Sequence, residues 1–269
     1  TAMYENPVLK DTLKLLENYG YGTIKPASGR LACGDTGAGK MPEPDELLSY
    51  VLREIACEKD LQGKKILVTA GPTQEAIDPV RVITNHSTGR MGYAVARAAM
   101  LRGAEVTLVS GPVSLAPPPF VKVVPVRSAE DMFQAVTALS EAQDAIIKAA
   151  AVADYTPVTV SGEKVKKKEG DMSIPLRRTR DILGYLGEHR REGQFLCGFS
   201  METEHMIENS QEKLIRKHVD MIVANNLKVA GAGFGTDTNV VTLITRNGVQ
   251  ELPIMSKDEV AHQILHRIF

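Results

Sequence analysis

The chain has 269 residues, 43% of them hydrophobic and 24% charged, which suits a soluble globular protein with one large or two modest domains. Its formal net charge of −1 gives no global electrostatic case for nucleic-acid or membrane binding, and no apolar run approaches a transmembrane length. Three widely spaced cysteines (Cys33, Cys57, Cys197) suit reduced thiols in a cytoplasmic protein, and the six histidines lack the spacing of a structural zinc site.

Near the start, Asn6 caps a predicted helix that opens at Pro7, turns Val8, Leu9, Leu13 and Leu16 inward and stops at Gly20. A glycine-rich loop follows from Gly29 to Pro44, and helical period resumes over 45–57. Residues 1–57 read as a helical unit without a sheet of its own, the tail of a larger domain. The chain opens Thr-Ala-Met without an initiator methionine, which suggests a fragment. The charged Glu58-Lys59-Asp60 reads as a linker.

From Lys64 onward, strands and helices alternate. Ile66, Leu67 and Val68 form a buried strand that breaks at Ala70-Gly71-Pro72-Thr73. The following loop carries Asp78, Arg81, Asn85, His86, Ser87 and Thr88, and a helix starts around Gly89 and stops at Gly103. Strand, polar loop and helix N-terminus make a ready anion site, because free N–H groups and the helix dipole face the loop. The alternative is an ordinary βα loop with polar decoration. Neither G-x-G-x-x-G nor the P-loop motif is present, so a nucleotide would have to bind by other means.

Next come strand 105–110, a proline-rich connector over 116–120 and strand 122–126. Ser128 with Asp131, and later Ser256 with Glu259, form capping-box patterns, the second opening the last helix. Strands are predicted over 144–150, 195–200, 220–223 and 240–244, with a helix over 204–218. This alternation predicts a doubly wound α/β domain with a mostly parallel Rossmann-like sheet, whose ligands sit at the carboxyl ends of the strands.

Several loop and strand-end residues have two readings. Asp154, just past a strand, suits ribose hydroxyls or a divalent cation, or else an Asx turn before Pro157. Lys164, Lys166, Lys167 and Lys168 form either a solvated face or a lid over phosphates. Lys148 lies inside an apolar strand, either facing the site from the strand end or reaching to solvent. Lys213 and Lys217, at i and i+4, are exposed or grip a triphosphate, and Phe199 is core or a base-stacking ring. Cys33, in the glycine-rich loop, hints at acid or nucleophile work.

Together, LVTAGPTQEAIDPVRVITNHSTGRMG, KAAAVADY, EKVKKK, CGFSMET and ANN followed by GAGFGTDTN resemble the phosphopantothenate–cysteine ligase half of the bifunctional bacterial coenzyme A biosynthesis proteins. TAMYENP and LACGDTGAGKM are similar to the end of the fused flavin-dependent phosphopantothenoylcysteine decarboxylase. The resemblance divides the chain into a decarboxylase remnant, 1–58, and a ligase domain, 59–269. It places the part that would bind most of the flavin, with the catalytic histidine, outside this chain.

The resemblance implies a reaction in two steps. CTP activates 4′-phosphopantothenate as an acyl-cytidylate, and the amine of L-cysteine then displaces CMP. It implies Mg²⁺ for the ligase, FMN for the fused decarboxylase, a homodimer of ligase domains and a larger homo-oligomer around complete decarboxylase units. Catalysis would fall to Asn85 and Lys164, with Cys33 as the decarboxylase proton donor. CTP would meet Gly71, Ala150, Asp154, Lys164, Arg178, Thr179, Arg180, Asp181, Phe199, Lys213 and Lys217. Phosphopantothenate would meet Asn85, Arg81 and His86, and Asp154 would approach the Mg²⁺ of the triphosphate. Two positions depart from the family pattern: Lys148 replaces a small or apolar residue, and Arg178-Thr179-Arg180-Asp181 replaces asparagine-proline-aspartate. Competing readings are a Rossmann-type nucleotide-dependent oxidoreductase and a non-catalytic nucleotide-binding module.

Overall fold

The chain divides between Glu58 and Lys59 into two units. A computed structural model describes residues 1–167, 170–202, 205–226 and 236–269. Lys168, the end of CGFSMET and most of GAGFGTDTN lie outside the described residues.

The first unit holds α1 (Ala2–Glu5), α2 (Pro7–Asn18), a hairpin of β1 (Ala27–Arg30) and β2 (Thr36–Lys40), and α3 (Pro44–Ile55). Asn6 caps α2 by accepting from the Val8 N–H at 2.9 Å, and Pro7 opens the helix. The segment predicted as a glycine-rich loop instead pairs as antiparallel strands, Arg30 opposite Thr36. Its glycines masked the strand signal, because they supply no alternating apolar side chains. No residue of α2 or α3 is fully buried, and Val8, Leu15, Val51 and Ile55 are exposed.

The second unit runs β3 (Lys65–Ala70), β4 (Gln74–Ala76), β5 (Val82–Thr84), α4 (Arg90–Leu101), β6 (Glu105–Ser110), β7 (Lys122–Pro125), α5 (Ala129–Ser140) and β8 (Ala145–Lys148). Then follow β9 (Tyr155–Pro157), β10 (Leu176–Arg178), α6 (Ile182–His189), β11 (Phe195–Glu202), α7 (Met206–Arg216) and β12 (Met221–Asn226). The chain finishes with β13 (Thr238–Asn239), β14 (Val241–Thr245), β15 (Gly248–Glu251), β16 (Met255–Ser256) and α8 (Lys257–Ile268). Among the described residues the central sheet has eight strands in the order β15-β14-β12-β11-β8-β3-β6-β7. It is parallel from β12 to β7, while β14 and β15 are antiparallel at one edge. The predicted doubly wound α/β architecture is therefore the observed one.

Side-chain alternation along the strands divides the core into two layers. Ile66, Val68, Ile147 and Val223 point to the face covered by α4 and α8, through Val95, Ala99, Val260 and Ile264. Leu67, Ile146, Leu196 and Ile222 point to the other face, covered by α5, α6 and α7 through Val136, Leu186 and Leu214. Strands buried on both faces need continuous apolar runs, which is why the central ones were readable from the sequence. Both predicted capping boxes form: Ser128 with Asp131 on α5, and Ser256 with Glu259 on α8. No described helix is long and apolar enough to cross a membrane.

Candidate active site

Chain order reverses between β3 and β8. From β3 the sheet proceeds through β6 and β7, and from β8 through β11 and β12, so the loops leaving β3 and β8 part and open a crevice at their carboxyl ends. At that point Gly71 (φ 76°) turns the chain off β3, and its carbonyl accepts from the Ala151 N–H at 2.9 Å. Pro72 and Ala151 form an isolated parallel bridge, and Ala150 N–H donates to Thr69 Oγ1 at 3.1 Å. Asn85 is exposed, and its Nδ2 donates to the Ala151 carbonyl at 3.0 Å. Its amide therefore stands over the reversal point, with exposed His86 beside it. Gly89 (φ 78°) starts α4 packed on Gly71, where a Cβ would come within 3.3 Å of the Gly71 nitrogen.

A cavity of about 520 Å³ opens at the carboxyl ends of β8 and β11. It gathers Lys148, Asp154, Arg178, Thr179, Arg180, Asp181, Phe199, Lys213 and Lys217, which come from both strand ends, the β10–α6 loop and α7. Asp181 caps α6 by accepting from the Gly184 N–H at 3.0 Å, and its carboxylate also pairs with Lys217. Lys213 Nζ donates to the Phe199 carbonyl at 3.2 Å. The Phe199 side chain itself packs with the α4/α8 layer, so its carbonyl is the group held by Lys213. Thr179 Oγ1 donates to the Ala153 carbonyl at 2.7 Å and its N–H to the Asp154 carbonyl at 3.0 Å, tying the two loops together. Arg180 pairs with Glu130 and lies over the Phe133 ring at 4.1 Å. Burial pulls the Lys217 ammonium below the ordinary lysine range. The cavity also takes in Arg216, which sequence reasoning passed over. Its signal was the i, i+3, i+4 spacing of Lys213, Arg216 and Lys217, which puts all three on one face of α7.

The loop that carries Lys164 is anchored by Asp78 and Arg81, a role that the sequence did not indicate for either. Asp78 Oδ1 accepts from the Val80 and Arg81 N–H groups at 2.9 and 2.8 Å. Its Oδ2 accepts from Arg81 Nη2 at 2.6 Å and from the Val165 N–H at 3.1 Å, while Arg81 Nη2 also donates to the Val165 carbonyl at 2.9 Å. The Arg81 guanidinium, backed by these donations, holds the Asp78 carboxyl well below the usual carboxylate range. Lys164 itself is exposed, next to this knot, as are Lys166 and Lys167. Arg81 is thus committed to the loop, though its side chain keeps 40% exposure. Gly71 and Ala150 act through backbone, and neither lines the cavity.

Among the described residues no group of three or more His, Cys, Asp or Glu side chains is placed to hold a metal. A lone exposed Asp154 fits a magnesium ion that takes most of its oxygens from a polyphosphate. In the first unit, Cys33 is exposed in the β1–β2 turn with its Sγ 3.7 Å from Asp35 Oδ2. It lines a cavity of about 760 Å³ with Tyr4, Leu9, Arg30 and Lys40.

Residues 61–269 match the DNA/pantothenate metabolism flavoprotein C-terminal domain family, and residues 1–56 match the Flavoprotein family. The chain is 48% identical over 270 residues to the coenzyme A biosynthesis bifunctional protein CoaBC of Bacillus subtilis, covering 99% of this chain and 66% of that protein. It is 43% identical over 268 residues to the CoaBC of Vibrio cholerae, covering 99% and 67%. It thus spans about two thirds of the length of these curated relatives. Among solved structures, the C-terminal domain of CoaBC superposes with a TM-score of 0.66 at 47% identity, over 77% of this chain and 95% of that one. A Cab2 variant in complex with phosphopantothenate-cysteine shares the fold, with a TM-score of 0.65 at 16% identity over 84% and 94%. With the sheet order, the two-part match and nearly half of its residues shared along its whole length, the chain belongs to the CoaBC family of coenzyme A biosynthesis bifunctional proteins.

Proposed function

We propose that residues 59–269 join 4′-phosphopantothenate to L-cysteine at the expense of CTP, through an acyl-cytidylate. The observation that carries this reading is the convergence of Asp154, Arg178–Asp181, Lys213 and Lys217 on one cavity beside the crevice where Asn85 is fixed. An acid–amine ligase needs these two features side by side: a cationic pocket for a triphosphate and a neutral polar group for the acyl carbonyl.

In the first half-reaction a carboxylate oxygen of 4′-phosphopantothenate bonds to the α-phosphorus of CTP, and pyrophosphate leaves with the electron pair. Lysine ammonium groups offset the repulsion between the two anions, and Lys164 reaches in from its anchored loop to the triphosphate. Magnesium would be held by the triphosphate with Asp154 facing it, where it neutralises charge on the phosphate oxygens. In the second half-reaction the cysteine amine attacks the acyl carbonyl, CMP leaves, and the amine loses a proton. The Asn85 amide, oriented by the Ala151 carbonyl, is a donor for that carbonyl as its oxygen gains charge. His86 and the exposed part of Arg81 are assigned to phosphopantothenate, and Gly71 and Ala150 to CTP by their backbone groups. The ligase domains are assigned as a homodimer, with a larger assembly when the flavoprotein domain is complete.

The strand, loop and helix N-terminus that commonly hold a phosphate are not assembled by the described residues of the first unit, which consists of a hairpin and three helices. FMN therefore does not fit this unit by itself, and we derive no step through it. Cys33 is assigned as the decarboxylase proton donor only of a protein with the whole flavoprotein domain.

Pyrophosphate release from CTP with Mg²⁺ and 4′-phosphopantothenate, with cysteine omitted and ATP run in parallel, tests the reading. A burst with CTP and not with ATP supports it. Silence with both nucleotides refutes it and returns nucleotide-dependent oxidoreduction to consideration.

A further inference from the structure

Lys148 is the last residue of β8 and stands opposite Thr69 of β3 and Gly198 of β11 in the sheet register. Alternation puts it on the same face as Ile146, the face covered by α6 and α7. An aliphatic chain would complete that layer, yet an ammonium is there. Gly198, its neighbour on this face, leaves the space beside it to Leu183 of α6: a Cβ at 198 would come within 2.6 Å of Leu183 Cδ2. The side chain therefore runs between neighbouring strands and α6 into the cavity that Lys213 and Lys217 enter from α7. Burial, then Lys213 and more weakly Lys217, pull its ammonium down to about 8, against an opposing effect of Asp154 that ranks between those of the two lysines. Of the two carboxylates that line the cavity among the described residues, Asp181 is already paired with Lys217, and Asp154 sits beyond the strand end. A cation in such a place is costly for the fold alone. A polyanion in the cavity would offset that cost.

We propose that Lys148 is a further nucleotide-binding residue, a third lysine on the phosphates beside Lys213 and Lys217, and that it sets preference for nucleoside triphosphate over monophosphate. The assignment rests on the nucleotide reading of the same cavity.

The test is calorimetric binding of CTP and of CMP, each with Mg²⁺, to the full chain and to Lys148→Met, which keeps length without charge. Loss of one charge-assisted contact predicts roughly 10- to 100-fold weaker CTP binding. The expected effect on CMP is much smaller, and Lys148→Met should melt no lower than the parent because it removes a buried charge. Lys148→Arg should restore part of the difference between CTP and CMP. An unchanged CTP-to-CMP ratio in Lys148→Met overturns the assignment while leaving the ligase reading intact. Failure of the parent chain to bind either CTP or inorganic tripolyphosphate overturns both.

Discussion

Gly111 follows β6 directly and lies against the turn that leaves β3. A Cβ placed there would sit 1.9 Å from the Pro72 carbonyl oxygen and 2.9 Å from its carbon, whereas real Cβ contacts essentially never fall below 3.0 Å. The Gly111→Ala substitution thus demands a separation of about 1.1 Å (3.0 minus 1.9) between two backbone segments, which no rotamer can supply. The same turn is tied to Ala151 by hydrogen bonds of 2.9 Å (Ala151 N–H to Gly71 O) and 3.3 Å (Thr73 N–H to Ala151 O). Overpacking of about 1–3 kcal/mol, plus about 1 kcal/mol for each bond stretched, sums to about 3–5 kcal/mol if nothing relaxes. We expect about 3 after relaxation. Because Ala151 also orients Asn85, a shift of that size should slow the coupling step roughly 100-fold. Gly22→Ala, with nothing within 4 Å of the added carbon, is the control. Urea unfolding followed by circular dichroism and single-turnover product formation measure the two effects. An alanine variant that matches the control in both would refute the idea that this backbone contact positions Asn85.

Asn85→Asp should still release pyrophosphate from CTP but stall before cysteine coupling, so that quenched-flow sampling finds acyl-cytidylate accumulating. Normal steady-state product formation would remove the role given to the amide. Asp78→Asn should speed amide exchange of 161–167 without changing exchange in β3 or β8, because it places an NH₂ and no charge where three N–H donors and a guanidinium converge. A carboxylate held below its unfolded pKa stabilises the fold fully above that value and loses the contribution progressively as pH falls from there through the lower, folded one. The 161–167 segment of the parent should therefore lose protection only gradually as pH falls below the ordinary carboxylate range; complete loss of protection already at about pH 4 would count against the anchor. Among the thiols, exposed Cys33 should react with a disulfide reagent in the native protein, and Cys197 only on unfolding, since burial pushes its pKa up. Mass spectrometry of partly labelled protein reads the order.

The parts of this fold that were legible are those whose signal is local. The apolar runs at β3, β6, β8 and β11 declare strands buried on both faces, and the two capping boxes mark helix starts to the residue. Helix α6 was not read because Gly184 and Gly187 interrupt its period. Gly187 has a tertiary cause, since a Cβ there would meet the Lys217 carbonyl at 1.9 Å, and Gly184 a local one, since a Cβ there would meet Oδ2 of the N-cap Asp181 at 2.6 Å. The short hairpins β4–β5 and β9–β10 were missed because strands of three residues carry too little alternation to register. The β14–β15 hairpin turns at Arg246-Asn247 between paired Thr245 and Gly248, a two-residue loop too short for its charged and polar residues to stand out. In the site, sequence spacing could mark Lys213 with Lys217 but not the pairing of Lys217 with Asp181, which lie 36 positions apart and meet only through the sheet. The Asp78–Arg81–Val165 knot is hidden in the same way: two of its members are neighbours, and the third arrives 84 residues later.

These pieces divide the work between parts that must not move and parts that must. Asn85 is fixed through Ala151, and Ala151 through the turn at Gly71, so the acyl carbonyl would meet a donor placed by backbone geometry alone. A donor that needs no reorganisation is most effective where charge develops in the transition state. Lys164 is held differently. Its backbone neighbour Val165 is bonded on both sides, N–H to Asp78 and carbonyl to Arg81, while its own side chain is left exposed. A long chain on a fixed pivot can follow the phosphate oxygens as pyrophosphate separates, without unfolding the loop that carries it. The proposed two-step chemistry would need both kinds of support: the acyl carbonyl stays in place from activation through coupling, whereas the triphosphate is broken during activation.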